Sequence, residues 1–146
     1  MITYEQINLH KYAGKLLNML VAHACEVFGE DHNFDIVYMS KLIELNLVRA
    51  YGVIEDEKIV GYAMFVLSKN MFRAHITQAE CTAVYIQPAY RDYKKCINLF
   101  KFSEKSLITH DNVNEITIMN NLNNRLDKFY KRMNFKAYNT QLVKEV

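Results

Sequence analysis

The sequence predicts a mixed α/β fold, a sheet with helices on both faces. Three observations carry that expectation. Apolar residues recur at spacings of three and four over residues 4–28, 36–47, 93–108 and 123–133, the period of half-buried helices. Runs rich in β-branched and aromatic residues fill 48–55, 58–67, 74–86, 115–119 and 135–143. The order strand 74–86, helix 93–108, strand 115–119 is that of a βαβ unit, so those two strands should be parallel and their crossover right-handed.

Each element has a local reason. In 4–28, Ala13, Leu16, Leu17, Leu20, Val21, Ala24, Val27 and Phe28 share a face, and Gly29 suits the C-cap. Asp35 is placed to N-cap 36–47, where Ile36, Met39, Leu42, Ile43 and Leu47 line one side. Asp56-Glu57 separates two strand-like runs by two residues, which predicts an antiparallel hairpin. The strand 74–86 stops at Gln87-Pro88, because proline cannot donate to a ladder.

Bulk properties narrow the class. A chain of 146 residues is one ordinary domain, spanning 1–146. At 51% hydrophobic and 23% charged, it can bury a core and does not read as disordered. Eighteen Lys and Arg against 16 Asp and Glu give a net charge of +2, too balanced to argue for nucleic acid. Lys94, Lys101 and Lys105 could share a helix face, but that stripe is short and lacks a stacking platform. No apolar run approaches the roughly 18 residues of a membrane span, and the first ten residues lack a signal-peptide plan. Cys25, Cys81 and Cys96 are odd in number and widely spaced, which suggests a reducing, cytoplasmic setting and no zinc site.

Two segments carry chemistry. In Thr82 to Cys96, TAVYIQPAYRDYKKC, a strand feeds a turn and then a helix start. Such a helix start presents free N–H groups and a positive dipole end, which suit phosphate. Within residues 123–135, NNRLDKFYKRMNF, the stretch 123–133 reads as a short helix.

Together these resemble the GNAT superfamily of acyl-CoA-dependent N-acetyltransferases. The hairpin VIEDEKIVGYAMF looks like that family's central hairpin, with Gly61 in the usual small position. Ile86, Pro88, Tyr90 and Arg91 match the family's Val-x-Pro-x-Tyr-Arg. Asp92, Lys94 and Cys96 stand where glycines or alanine are expected, so the phosphate loop is degenerate. Asn123, Tyr130 and Phe135 match the second motif, while Leu126 and Asn134 replace Ala and Gly.

The resemblance implies a set of roles. Acetyl-CoA would lie along a splayed parallel strand pair, and the backbone of Val84, Tyr85 and Ile86 would hold its arm and polarise the thioester. The N–H groups of Arg91, Asp92, Tyr93, Lys94, Lys95 and Cys96 would cradle the pyrophosphate, Lys94 and Lys95 adding positive charge. A lowered thiol pKa is compatible with Cys96 at a helix N-terminus. Asn123 would help hold the cofactor arm or cap its helix. Tyr130 would protonate the departing thiolate, as a phenol near ~10 can. Glu80 would take the acceptor's proton, with His75, read as the start of that strand, as the rival base. The acceptor is expected over 29–35 and the second helix, where Glu30, Asp31, Asp35 and Glu44 would favour a cation. No metal is implied, and a homodimer through the last strands is compatible with the resemblance. The alternative is a protein-binding module that kept the fold and lost the reaction.

Overall fold

A computed structural model describes residues 1–29, 34–119, 127–137 and 144–146. Its elements are β1 Ile2–Gln6, α1 Leu9–Phe28, α2 Ile36–Glu44, β2 Val48–Glu55, β3 Lys58–Lys69, β4 Thr77–Ile86, α3 Tyr93–Asp111, β5 Glu115–Ile118 and α4 Asp127–Arg132. A 3₁₀ turn, Pro88–Tyr90, joins β4 to α3. The sheet order is β1-β2-β3-β4-β5, antiparallel except for the parallel β4–β5 pair.

Several local signals act as expected. Asp35 caps α2 by accepting the Tyr38 N–H at 2.8 Å. Gly29 ends α1 at φ 66, and Asn134 takes φ 61. Asp56 and Glu57 both take positive φ, 48 and 64, the twist that a two-residue hairpin requires.

The sequence reading is corrected in four places. Residues 4–28 are not one helix. Asn8 caps α1 by accepting the Lys11 N–H, and the residues before it pair with β2, Tyr4 opposite Val53. That strand is too short to show a period of its own. The Tyr4 ring meets Phe102 of α3 at 6.5 Å between centroids. Second, α2 stops at Glu44, and Asn46 at φ 56 turns the chain into β2. Third, β4 begins at Thr77, because Asn70 Oδ1 accepts the N–H groups of Phe72 and Arg73 and holds 70–76 as a turn. Fourth, Phe135 to Ala137 carry no strand; 138–143 lie outside the described residues, as does 123–126, the start of the expected last helix.

Two apolar layers flank the sheet. On one face α1 and α2 pack Leu16, Met19, Leu42 and Ile43 against Ala50, Tyr62, Met64 and Tyr85. On the other, α3 and α4 pack Leu99, Phe100, Leu107, Phe129 and Tyr130 against Tyr51, Val53, Phe65 and Ala79.

Two features shape the edge of β4. Pairing passes from Met64↔Ala83 to Phe65↔Cys81, which leaves Thr82 as a bulge with its hydroxyl donating to Met64 O at 3.3 Å. On the other side, β5 pairs with β4 only from Gln78 to Cys81. Past the bulge, β4 has no strand partner on that edge among the described residues.

Candidate active site

The open edge is defined by the backbone of β4. Gln87 donates its N–H to Val60 O of β3 at 2.9 Å. Strand alternation then turns the N–H and C=O of Tyr85 toward β3, and those of Val84 and Ile86 toward the open side. Of the three residues expected to offer backbone to a ligand, Val84 and Ile86 face the open side and Tyr85 does not. β3 is drawn tight against this stretch at Gly61, where an added Cβ would lie 2.9 Å from both Tyr85 O and Ile86 Cγ1.

The edge leads into the N-terminus of the 19-residue helix α3. Asp92 is its N-cap, and its carboxylate accepts the Lys94 N–H at 3.0 Å. The Cys96 N–H is bound to Asp92 O at 3.2 Å, and the Arg91 N–H bends back to Pro88 O. Among the described residues, the N–H groups of Asp92, Tyr93 and Lys95 have no acceptor. The expected six-donor cradle is therefore narrower and carries a negative charge at its mouth.

The flanking side chains also differ from expectation. The Lys95 ammonium bonds Glu55 at 2.6 Å and Tyr90 O at 3.3 Å, so it closes the end of β2 against α3. Lys94 is exposed. Burial pushes the Cys96 thiol up to about 11, the reverse of an activated cysteine at a helix start, because desolvation disfavours the thiolate. The Arg91 guanidinium donates to Ile86 O and to Glu26 of α1, and lies 5.7 Å from the Tyr85 ring centroid.

Tyr130 is 9% exposed, with its ring between those of Phe129 and Phe135. Phe129 meets Tyr93 and Phe100, and Arg132 lies over the Tyr93 ring, which sets α4 beside the start of α3. Glu80 is exposed on β4, two residues before the bulge and opposite Val66 on the α1–α2 face. His75 is exposed in the β3–β4 turn rather than on the strand. It stands at the other end of β4 from Ile86, roughly 35 Å along an extended chain. Asn123, Glu30 and Asp31 lie outside the described residues. Asp35 is engaged as a cap, and Glu44 is exposed.

Four residues that sequence reasoning missed gather at the same strand end. His23 of α1 hydrogen-bonds the Tyr62 hydroxyl at 2.8 Å and stacks on Tyr85 at 4.9 Å. Burial lowers the His23 pKa, Glu26 opposes that shift, and Arg91 adds to it. Burial raises the Tyr62 pKa, with Tyr85 adding to it, so the phenol stays protonated. Glu26 and Glu55 hold Arg91 and Lys95. No sequence signal marks them, since the partners lie on different elements, 39 to 65 residues apart.

The whole described arrangement matches known structures. A possible acetyltransferase from Clostridium difficile 630 superposes with a TM-score of 0.79 over 100% of this chain and 99% of that one, at 14% identity. The chain has a GNAT-type fold. An aminoglycoside acetyltransferase from an uncultured soil metagenomic sample matches this fold at a TM-score of 0.77 and 16% identity, covering 100% and 99% of the two chains. A predicted acetyltransferase from Clostridium acetobutylicum, solved with acetyl-CoA, matches at 0.71 and 15%, covering 99% and 96%. Neither a family model nor a curated protein matches the sequence. Within a GNAT-type fold, the split between β4 and β5 is where the resemblance sets an acyl-CoA arm. Among the described residues no helix is long and apolar enough to cross a membrane, and no cluster of His, Cys, Asp and Glu could hold a metal.

Proposed function

We propose that this chain, as one domain, moves an acetyl group from acetyl-CoA to a primary amine. One observation carries the reading: past Thr82 the backbone of Val84 and Ile86 faces a strand edge that is unpaired among the described residues and runs into the N-terminus of α3. The donors there fit an extended amide-bearing arm ending in a diphosphate. The arm would pair with Val84 and Ile86, and the diphosphate would meet the N–H groups of Tyr93 and Lys95. That a neighbour of this fold was solved with acetyl-CoA, and that others are aminoglycoside acetyltransferases, supports the thioester donor and the amine acceptor.

The chemistry assigns one task to each group. Glu80 takes a proton from the acceptor ammonium, because only a neutral amine can attack. The amine nitrogen bonds to the carbonyl carbon while the Val84 N–H polarises the carbonyl oxygen, and the C–S bond breaks. The Tyr130 hydroxyl gives its proton to the thiolate and regains one from the nitrogen. Glu80 then returns its proton to water. His75 has no part, being at the wrong end of β4.

The Asp92 carboxylate, at the helix start where a diphosphate would sit, favours the second reading, a module that kept the fold without the reaction. Titration of the purified protein with acetyl-CoA, followed by thiol release against a panel of primary amines, separates them. Saturable micromolar binding and amine-dependent thiol release support the transferase. No binding at millimolar concentration leaves the module.

A further inference from the structure

Arg91 is held at three points, and one of them, Ile86 O, is what the arm of an acyl-CoA would use. Its Nε donates to Ile86 O at 2.9 Å, a carbonyl on the open edge of β4. Its Nη2 meets both carboxylate oxygens of Glu26, at 2.6 Å to Oε1. The guanidinium also lies over the Tyr85 ring. Glu26 belongs to the last turn of α1, so this contact crosses from one helical layer to the turn after β4. The two side chains remain 46% and 44% exposed, and an ion pair that open to water exchanges readily. Carboxylate and phosphate oxygens both accept charge-assisted N–H bonds from a guanidinium, so the two compete for Nη2.

We propose that the Arg91–Glu26 pair is a latch across the acyl-CoA cleft. The ligand opens it by putting its diphosphate on Arg91 in place of the Glu26 carboxylate and by giving an amide N–H of its arm to Ile86 O. The proposal rests on the acyl-CoA reading above. It differs from a plain strut between α1 and the β4–α3 turn in one respect. Glu26 competes with the ligand, while Arg91 serves it.

Calorimetric titration of acetyl-CoA into the wild type, Glu26→Gln and Arg91→Ala tests this, with melting curves to confirm folding. Glu26→Gln is expected to tighten binding about 3- to 10-fold, and Arg91→Ala to weaken it by at least as much. Both variants lose the same ion pair, so a strut moves both affinities in one direction, and that result overturns the latch. Unchanged or weaker binding by Glu26→Gln overturns it as well. If neither the wild type nor Glu26→Gln binds saturably at millimolar ligand, the acyl-CoA reading falls and takes the latch with it.

Discussion

The carboxylate of Asp92 accepts the backbone N–H of Lys94 at 3.0 Å, at the first turn of α3. This is ordinary N-capping, and it stabilises the helix. It also sets a negative charge where the positive end of the helix dipole would meet a diphosphate. Asparagine caps a helix about as well as aspartate and carries no charge. Asp92→Asn should therefore tighten acetyl-CoA binding about 2- to 10-fold at low salt, with the gain shrinking as ionic strength rises. Calorimetry at two salt concentrations reads both effects. Weaker binding by the variant would mean that the carboxylate assists the ligand.

Tyr130 sits in the core between Phe129 and Phe135, so removal of its hydroxyl leaves the packing surface nearly intact. Tyr130→Phe is expected to lower turnover by about 10²-fold with acetyl-CoA affinity preserved. The measurement is steady-state thiol release beside a binding isotherm. Equal turnover in both proteins would take Tyr130 out of the chemistry.

His23 predicts a pH effect on stability. Its folded pKa is lowered, by burial first and by Arg91 in addition. The unfolded chain therefore binds the proton more readily than the native state does. The stability this involves is present above the ordinary value near ~6.5 and is lost as pH falls below it, toward the folded value. The melting temperature should drop between pH 7.5 and pH 5 in the wild type, and less steeply in His23→Gln. Parallel pH profiles for the two proteins would exclude His23 as the source.

Gly61 has no room for a side chain. A Cβ there would lie 2.9 Å from Tyr85 O, which is backbone and can yield only by shifting β4. Gly61→Ala should cost about 1–3 kcal/mol in urea unfolding. It should also weaken acetyl-CoA binding, because the strand displaced is the one that offers Ile86 to the open edge. Wild-type stability in this variant would show that β3 and β4 separate easily.

Much of the frame was legible because it depends on neighbours in the chain. The bounds of β2, the Asp56-Glu57 turn, the Asp35 cap and the Gly29 stop all follow from residue types over a few adjacent positions. The parallel β4–β5 pair followed from element order and a handedness rule. β1 was not legible, because five residues carry no reliable period and their pairing with β2 is a tertiary event. The bulge at Thr82 was missed for a like reason, since it exists only in the register between β3 and β4.

The sequence by itself determined most helices and strands, though not β1, and that a strand would deliver a helix N-terminus near Arg91. Only the tertiary structure decided what the charged groups there do. Lys95 turns to Glu55, Arg91 to Glu26, and the Cys96 thiol is driven up by burial. Backbone preference acts over a few residues and is written locally. Charge pairing and desolvation depend on which distant side chains the packed helices bring within a few ångströms, and no short stretch of sequence carries that information.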